Sequence, residues 1–141
     1  TPVIAARTDK HLAQSSAKRL ERWRRIAHEA AQQSRRSDVP LVADPVSLAE
    51  FARSQSSRNR IVLAEQERTT TLRFALDELL SASPAEAPTL EVAIGPEGGW
   101  TPAEEALFDS IGWRAVSLGP RILRAETAAI AALAVIASML E

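Results

Sequence analysis

Leu90-Glu91-Val92-Ala93-Ile94-Gly95-Pro96-Glu97-Gly98-Gly99-Trp100-Thr101-Pro102-Ala103-Glu104 is the stretch on which the reading of this chain turns. Leu90 to Ile94 has the character of a strand and runs directly into a glycine loop. Thr101 then offers an N-cap hydroxyl, Pro102 fills the first helical position and Glu104 the third, so a helix starts there. That helix should stop near Gly112. The order then repeats: a strand over Trp113 to Leu118, a second glycine loop over Leu118-Gly119-Pro120-Arg121-Ile122-Leu123, and a last helix from about Glu126 to Leu140.

Upstream the alternation continues. Val3 to Ala6 reads as a short strand leading into a polar turn at Arg7-Thr8-Asp9-Lys10. Ser16 to Arg36 reads as a helix, with Leu20, Trp23, Ala27, Ala30 and Ala31 forming one apolar stripe. Leu41-Val42-Ala43 is expected to be a short buried strand. Ser47 and Glu50 have capping-box spacing. Arg60 to Ala64 is expected as a strand, Leu72 to Leu80 as a helix, and Ser81 to Pro88 as a loop. Strands alternating with helices define an α/β fold with a mainly parallel sheet.

All five glycines of the 141 residues lie between Gly95 and Gly119. Glycine permits positive φ and close backbone approach, so the working surface belongs in that window. Both glycine loops follow strands, and in open parallel sheets ligands bind beyond the carboxyl ends of strands. Neither loop has the Gly-Lys-Ser/Thr ending of a nucleotide-triphosphate loop, and Gly-x-Gly-x-x-Gly does not occur.

Composition narrows the classes. The length fits one domain with a real core. With no cysteine there are no disulfides and no thiolate metal sites. No apolar run reaches the ~18 residues that suggest a membrane span, and no signal peptide is visible. The net charge of −1 hides an asymmetry. Residues 1–36 carry nine Arg or Lys against Asp9, Glu21 and Glu29, which gives +6 there and leaves −7 in the remainder. A basic segment of this kind is either an electrostatic footprint for a polyanion or a solvated helix face. His11 and His28 are the only histidines; nothing in the pattern pairs them with a nucleophile or a metal, and both are expected on the surface.

Ile94-Gly95-Pro96-Glu97-Gly98-Gly99, followed by Leu118-Gly119, Arg121-Ile122-Leu123-Arg124 and Glu126-Thr127-Ala128, resembles the signature of the ribosomal RNA small subunit methyltransferase E family. Arg22-Trp23 with Ile26, then Glu29-Ala30, Gln33-Ser34, Arg36 and Val39-Pro40, is similar to that family's basic helix. Pro2 with Ala6-Arg7 resembles the segment just before it. The resemblance implies a SPOUT-type α/β fold, a mainly parallel sheet flanked by helices with a C-terminal trefoil knot that binds S-adenosylmethionine. It implies methylation of N3 of a uridine in 16S ribosomal RNA of the small subunit, by a cytoplasmic homodimer with neither a membrane nor a metal as partner. Family members carry an N-terminal β-barrel that grips RNA, then a first strand and helix of the methyltransferase domain. Residues 1–141 are therefore expected to be the C-terminal catalytic portion, one SPOUT domain without those parts. Two alternatives stay open: a SPOUT enzyme with another target, such as a ribose 2′-hydroxyl, or a noncatalytic RNA-binding or dimerisation fragment.

The resemblance also implies roles. The backbone of Ile94, Gly95, Pro96, Glu97, Gly98 and Gly99, and that of Leu118 and Gly119 with Ile122 and Leu123, would hold the cofactor. Ala64 and Glu65, at a third strand end, would contribute. Gly98 is the position where valine is expected to abolish binding, because a β-branched residue blocks close backbone approach and resists the positive φ expected there. Glu97 either faces the sulfonium or pins its own loop. Thr127 bonds the cofactor or caps the last helix. Arg7 and Arg124 are candidates to stabilise charge on the uracil carbonyls, with Arg124 alternatively paired to Glu126. Glu126 either accepts the N3 proton or caps its helix. Arg22, Arg25, Arg35 and Arg36 are candidates for RNA phosphate contact. Trp23 is a core residue or a stacking platform, and Trp100 covers the pocket or packs beneath the loop.

Overall fold

A computed structural model describes residues 1–53, 59–82 and 89–140. The chain divides into two units, Thr1–Ser54 and Gln55–Glu141.

The first unit contains β1 (Val3–Ile4), α1 (Lys10–Gln33), β2 (Val46–Ser47) and α2 (Leu48–Arg53). Helix α1 begins six residues ahead of the expected Ser16. The reason is Asp9, whose side chain accepts the Leu12 amide at 3.0 Å while its carbonyl accepts that of Ala13 at 2.9 Å. The Leu12 amide also holds the Asp9 carboxyl below its ordinary range. The polar run Lys10-His11 and Gln14-Ser15-Ser16 hides this turn from a periodicity argument. The helix stops at Gln33, short of Arg36, and Arg35 takes a positive φ of 56°. Ser16, Leu20 and Ala31 are buried on one side with Trp23 and Ala27 half-buried, whereas Ala30 lies off that stripe and is exposed.

The expected strand at Leu41-Val42-Ala43 does not form, and Leu41 is 89% exposed. Arg24 holds this segment from α1 instead, donating from Nε to the Val42 carbonyl and from a terminal nitrogen to Asp44, both at 3.1 Å. The strand comes at β2, which pairs in parallel with β1 through Val3↔Val46 and Ile4↔Ser47. Ser47 and Glu50 form the expected reciprocal cap of α2, with the Ser47 amide donating to the Glu50 carboxylate at 2.9 Å.

The second unit contains β3 (Asn59–Leu63), α3 (Leu72–Ala82), β4 (Leu90–Ala93), α4 (Pro102–Ser110), β5 (Arg114–Val116) and α5 (Ala125–Leu140). Residues 83–88 of the expected Ser81 to Pro88 loop lie outside the described residues. The sheet order is β4-β3-β5, with every pairing parallel. On one face Ile61 and Val116 pack with Leu72, Ala75 and Leu76 of α3 and with Ala132 of α5. Leu76 is fully buried. Leu76→Ala should therefore cost about 2–5 kcal/mol, read as a lower denaturation midpoint with an unchanged slope against denaturant.

On the other face Phe108 of α4 meets Trp100 and Trp113 edge-on, with ring centroids at 4.8 and 5.2 Å. Helix α4 closes with a Schellman motif, the Trp113 amide donating to the Phe108 carbonyl and that of Gly112 to the Asp109 carbonyl. The Phe108–Trp113 contact is the apolar pair that accompanies such a motif.

Helix α5 resolves into two stripes. Ala132, Val135, Ile136 and Met139 face the core, while Ile130, Leu133 and Leu140 are exposed at 71%, 61% and 38%. Among the described residues no helix is long and apolar enough to cross a membrane.

Candidate functional site

The sheet order brings three strand ends to one edge. Strand β3 lies between β4 and β5, so Ala64 and Glu65 sit between the two glycine loops, at the point where the chain reverses its direction of travel across the sheet. In the first loop the Gly99 amide donates to the Pro96 carbonyl at 2.8 Å. Gly99 has φ +65°, and a Cβ there would lie 3.6 Å from the Glu65 carboxyl group. The positive φ thus belongs to Gly99 and not to Gly98, which removes that ground for the valine substitution and leaves close backbone approach as the other. Among the described residues Glu97 is exposed, and its carboxylate makes no hydrogen bond that pins the loop.

Trp100 packs beneath this loop. Its ring lies where a Cβ on Gly95 would approach to 3.2 Å, and its Nε1 donates to the Leu63 carbonyl at 3.0 Å. The exit into α4 is fixed by the expected capping box. The Thr101 amide and hydroxyl donate to the Glu104 carboxylate at 2.8 and 2.9 Å, and the Glu104 amide donates back to the hydroxyl.

The second loop starts from a clasp. The Ala64 amide donates to the Val116 carbonyl at 3.0 Å on one side of β5. On the other side the Ser117 amide donates to the Thr70 carbonyl at 2.9 Å, and the Leu72 amide donates to the Ser117 carbonyl at 2.8 Å. Residues 64–72 therefore grip the end of β5 with both limbs of one loop. Glu67 stiffens that loop by accepting from the Thr69 amide and hydroxyl, both at 2.6 Å, and from the Thr70 amide at 2.8 Å. The Thr69 hydroxyl, then the amides of Thr70 and Thr69, hold the Glu67 carboxyl down at about 2, so it stays ionised well into the acid range.

Beyond the clasp, Gly119 takes φ +114° with no atom within 4 Å of where a Cβ would be. Leu118 and Leu123 are half-buried and Ile122 is 66% exposed. Arg124 is the last residue before α5, and its carbonyl accepts the Ala128 amide at 2.8 Å. Among the described residues no ion pair joins Arg124 to Glu126, and Thr127 makes no capping bond. Glu126, in the first turn, suits the positive end of the helix dipole. Arg124, Glu126 and Thr127 are all exposed.

Arg7 lies in the turn ahead of α1, in the first unit. Arg22, Arg25, Arg35 and Arg36 are exposed there. Arg25 approaches Glu29 at 3.8 Å and Arg36 approaches Asp38 at 3.4 Å, both in water, where such pairs hold the cations weakly. His11 and His28 are exposed, as expected. Among the described residues no group of acidic, His or Cys side chains is placed to hold a metal.

Sequence reasoning missed Glu67 and Ser117. An Asx- or Glu-type cap inside a connecting loop leaves only Glu67-Arg68-Thr69-Thr70 as its trace. It also missed a pocket of about 360 Å³ on the α4 face, lined by Val62, Ala64, Glu67, Glu105, Asp109 and Trp113 among others.

The whole of residues 1–137 matches the RNA methyltransferase domain, and the chain belongs to that family. Among similar proteins, the Ribosomal RNA small subunit methyltransferase E of Synechocystis sp. is 40% identical over 134 residues, covering 95% of this chain and 43% of that protein. Its namesake in Bacillus subtilis is 36% identical, covering 99% of this chain and 55% of that protein. The chain thus spans about half the length of the curated relatives it matches. Among solved structures, a Ribosomal RNA small subunit methyltransferase E from Neisseria gonorrhoeae bound to S-adenosylmethionine superposes with a TM-score of 0.72 at 34% identity, over 99% of this chain and 52% of that one. A chain from Legionella pneumophila with bound S-adenosylmethionine gives a TM-score of 0.80 at 33% identity, over 98% of this chain and 54% of that one.

Proposed function

We propose that residues 1–141 form a SPOUT methyltransferase domain of a cytoplasmic homodimer that uses S-adenosylmethionine to methylate N3 of a uridine in 16S ribosomal RNA of the small subunit. The observation that carries this reading is the convergence of two glycine loops, each with a left-handed glycine, on one edge of a parallel sheet. The relatives that match nearly the whole chain support the substrate class. Support for a C-terminal trefoil knot comes from the clasp: Val116 and Ser117 bond to both limbs of one loop, the contacts that a chain threaded through that loop would make.

The residues present fit the cofactor. The open space at Gly119, the turn at Gly99 and the apolar surface of Leu118, Ile122 and Leu123 offer backbone donors, acceptors and walls suited to an adenine and its ribose. S-adenosylmethionine supplies, when bound, an electrophilic methyl group on a positively charged sulfur. The exposed Glu97 carboxylate offers the matching negative charge. Ala64 and Glu65, between the loops, complete the edge. Arg124, with Arg7 as the second candidate, stabilises the negative charge that develops on the uracil carbonyls as N3 loses its proton. The Glu126 carboxylate takes that proton, and Thr127 positions the ligand from the same turn. Most of the acceleration lies in holding the reacting atoms in line.

The test is incubation of the full-length protein with S-adenosylmethionine and small ribosomal subunits, followed by mass mapping of the nucleosides. The expected product is one N3-methyluridine per 16S RNA; methylation of a ribose hydroxyl alone, or no product, would refute the assignment. Arg22, Arg25, Arg35 and Arg36 serve as phosphate contacts that set affinity and register. Replacing both Arg22 and Arg25 with Ala should weaken RNA binding and lower its log–log salt slope by roughly 1 to 2, with cofactor affinity unchanged. An unchanged salt slope would make α1 merely a solvated face.

A further inference from the structure

Glu67 is not among the residues that the glycine signatures single out, yet it holds the only described element that fixes the outer edge of β5 at the start of the second loop. The chain of bonds is short. The Glu67 carboxylate binds the Thr69 amide and hydroxyl and the Thr70 amide. The Thr70 carbonyl then receives the Ser117 amide, and the Ser117 hydroxyl at 3.4 Å. Ser117 returns its own carbonyl to the Leu72 amide. The Glu67 amide is itself tied to the Ala64 carbonyl at 3.2 Å, at the end of β3. Ser117 is buried, and Leu118 and Gly119 follow it directly.

We propose that Glu67 is a positioning residue for the cofactor: by capping Thr69 and Thr70 it fixes the limb that grips Ser117, and so sets where the Leu118–Gly119 backbone presents its donors and acceptors. The inference rests on the cofactor reading given above. Thr69 and Thr70 have no regular ladder of their own on this limb, so the carboxylate supplies the acceptors that a strand neighbour would supply elsewhere. Three hydrogen bonds converging on one carboxylate oxygen, Oε1, restrain the Thr69 and Thr70 backbone together. Without them the limb is held to β5 only by bonds at its far end, and the loop that begins at Leu118 gains freedom that cofactor binding must then remove.

The experiment compares the unmodified protein with Glu67→Ala, Glu67→Gln and Thr69→Val, by calorimetric titration with S-adenosylmethionine and by amide hydrogen exchange without it. In Glu67→Ala the Ser117 and Leu72 amides should exchange about tenfold faster, those of Ile61 and Val62 should not change, and affinity should fall about tenfold. Glu67→Gln keeps one acceptor oxygen and should restore affinity to within about threefold of the unmodified protein. A general loss of stability would instead move all four amides together. Thr69→Val removes one donor, should shift the same two amides by about threefold, and carries the test if Glu67→Ala does not fold. Unchanged exchange at Ser117, or faster exchange with unchanged affinity, would overturn the positioning role alone. Failure of the unmodified protein to bind S-adenosylmethionine would overturn the functional reading, and the positioning role with it.

Discussion

Gly119→Val is expected to abolish S-adenosylmethionine binding while leaving the protein folded. The backbone at Gly119 has φ +114°, a region that side chains with a Cβ rarely enter and that a β-branched residue resists most. No neighbouring atom lies within 4 Å of the new Cβ, so the effect is not a collision. It comes from the backbone relaxing to another conformation, with strain of about 1–3 kcal/mol driving it. That relaxation turns the peptide groups on either side of residue 119, in the loop proposed to hold the adenine. Gly119→Ala should be intermediate, weakened by roughly tenfold. Gly98→Val should do less than Gly119→Val, because Gly98 is not the left-handed residue of its loop. Calorimetry beside circular dichroism reads all three, and full-affinity binding by a folded Gly119→Val protein would remove the second glycine loop from the site.

Ile130→Asp combined with Leu133→Asp is expected to convert a dimer of twice the 15.3 kDa chain mass into monomers. The two side chains are one turn apart and exposed at 71% and 61%, and Leu140 continues the stripe. A stripe of large aliphatic side chains on a helix whose opposite stripe already feeds the core is the surface that a second copy would cover. A carboxylate in such an interface loses its hydration without gaining a partner. The core stripe, with Ala132 fully buried, is untouched, so the fold should survive. Sedimentation equilibrium at high micromolar concentration decides it. An unmodified protein that sediments as a monomer, or a double variant that stays dimeric, would exclude this stripe as the interface.

What the sequence disclosed depended on whether the physics was local. Thr101-Pro102-Ala103-Glu104 and Ser47 with Glu50 announce their caps through neighbouring residues, and both formed as expected. The strands at β3, β4 and β5 were legible from short apolar runs, and β4 and β5 also from the glycine loops that follow them. Leu41-Val42-Ala43 misled because its fate is settled by Arg24, a long-range partner. The early start of α1 was written in Asp9 but drowned by the polar residues after it. Helix α5 showed that it was apolar but not which stripe met the core, since that depends on Ile61, Leu72 and Leu76 lying across from it. Strand order was invisible, and with it the placement of Ala64 and Glu65 between the two loops. The positive φ was assigned to Gly98 where Gly99 has it, because adjacent glycines are indistinguishable until the turn is built.

The clasp around β5 also governs when the protein becomes whole. Ser117 and Thr70 are 47 positions apart, and β3 cannot complete its pairing until β5 arrives beside it. Pairings so distant in sequence close large loops before they return any stabilisation, and chains built on them fold slowly. During synthesis, α3 and β4 emerge with the central strand still open on one side. The gripping loop then has nothing to hold, and Ile61 and Leu72 face a core from which Val116 and Ala132 are absent. A chain that stops short of β5 would therefore carry an exposed strand edge and a ligand edge without its second glycine loop, which makes it a natural client for chaperones and proteases.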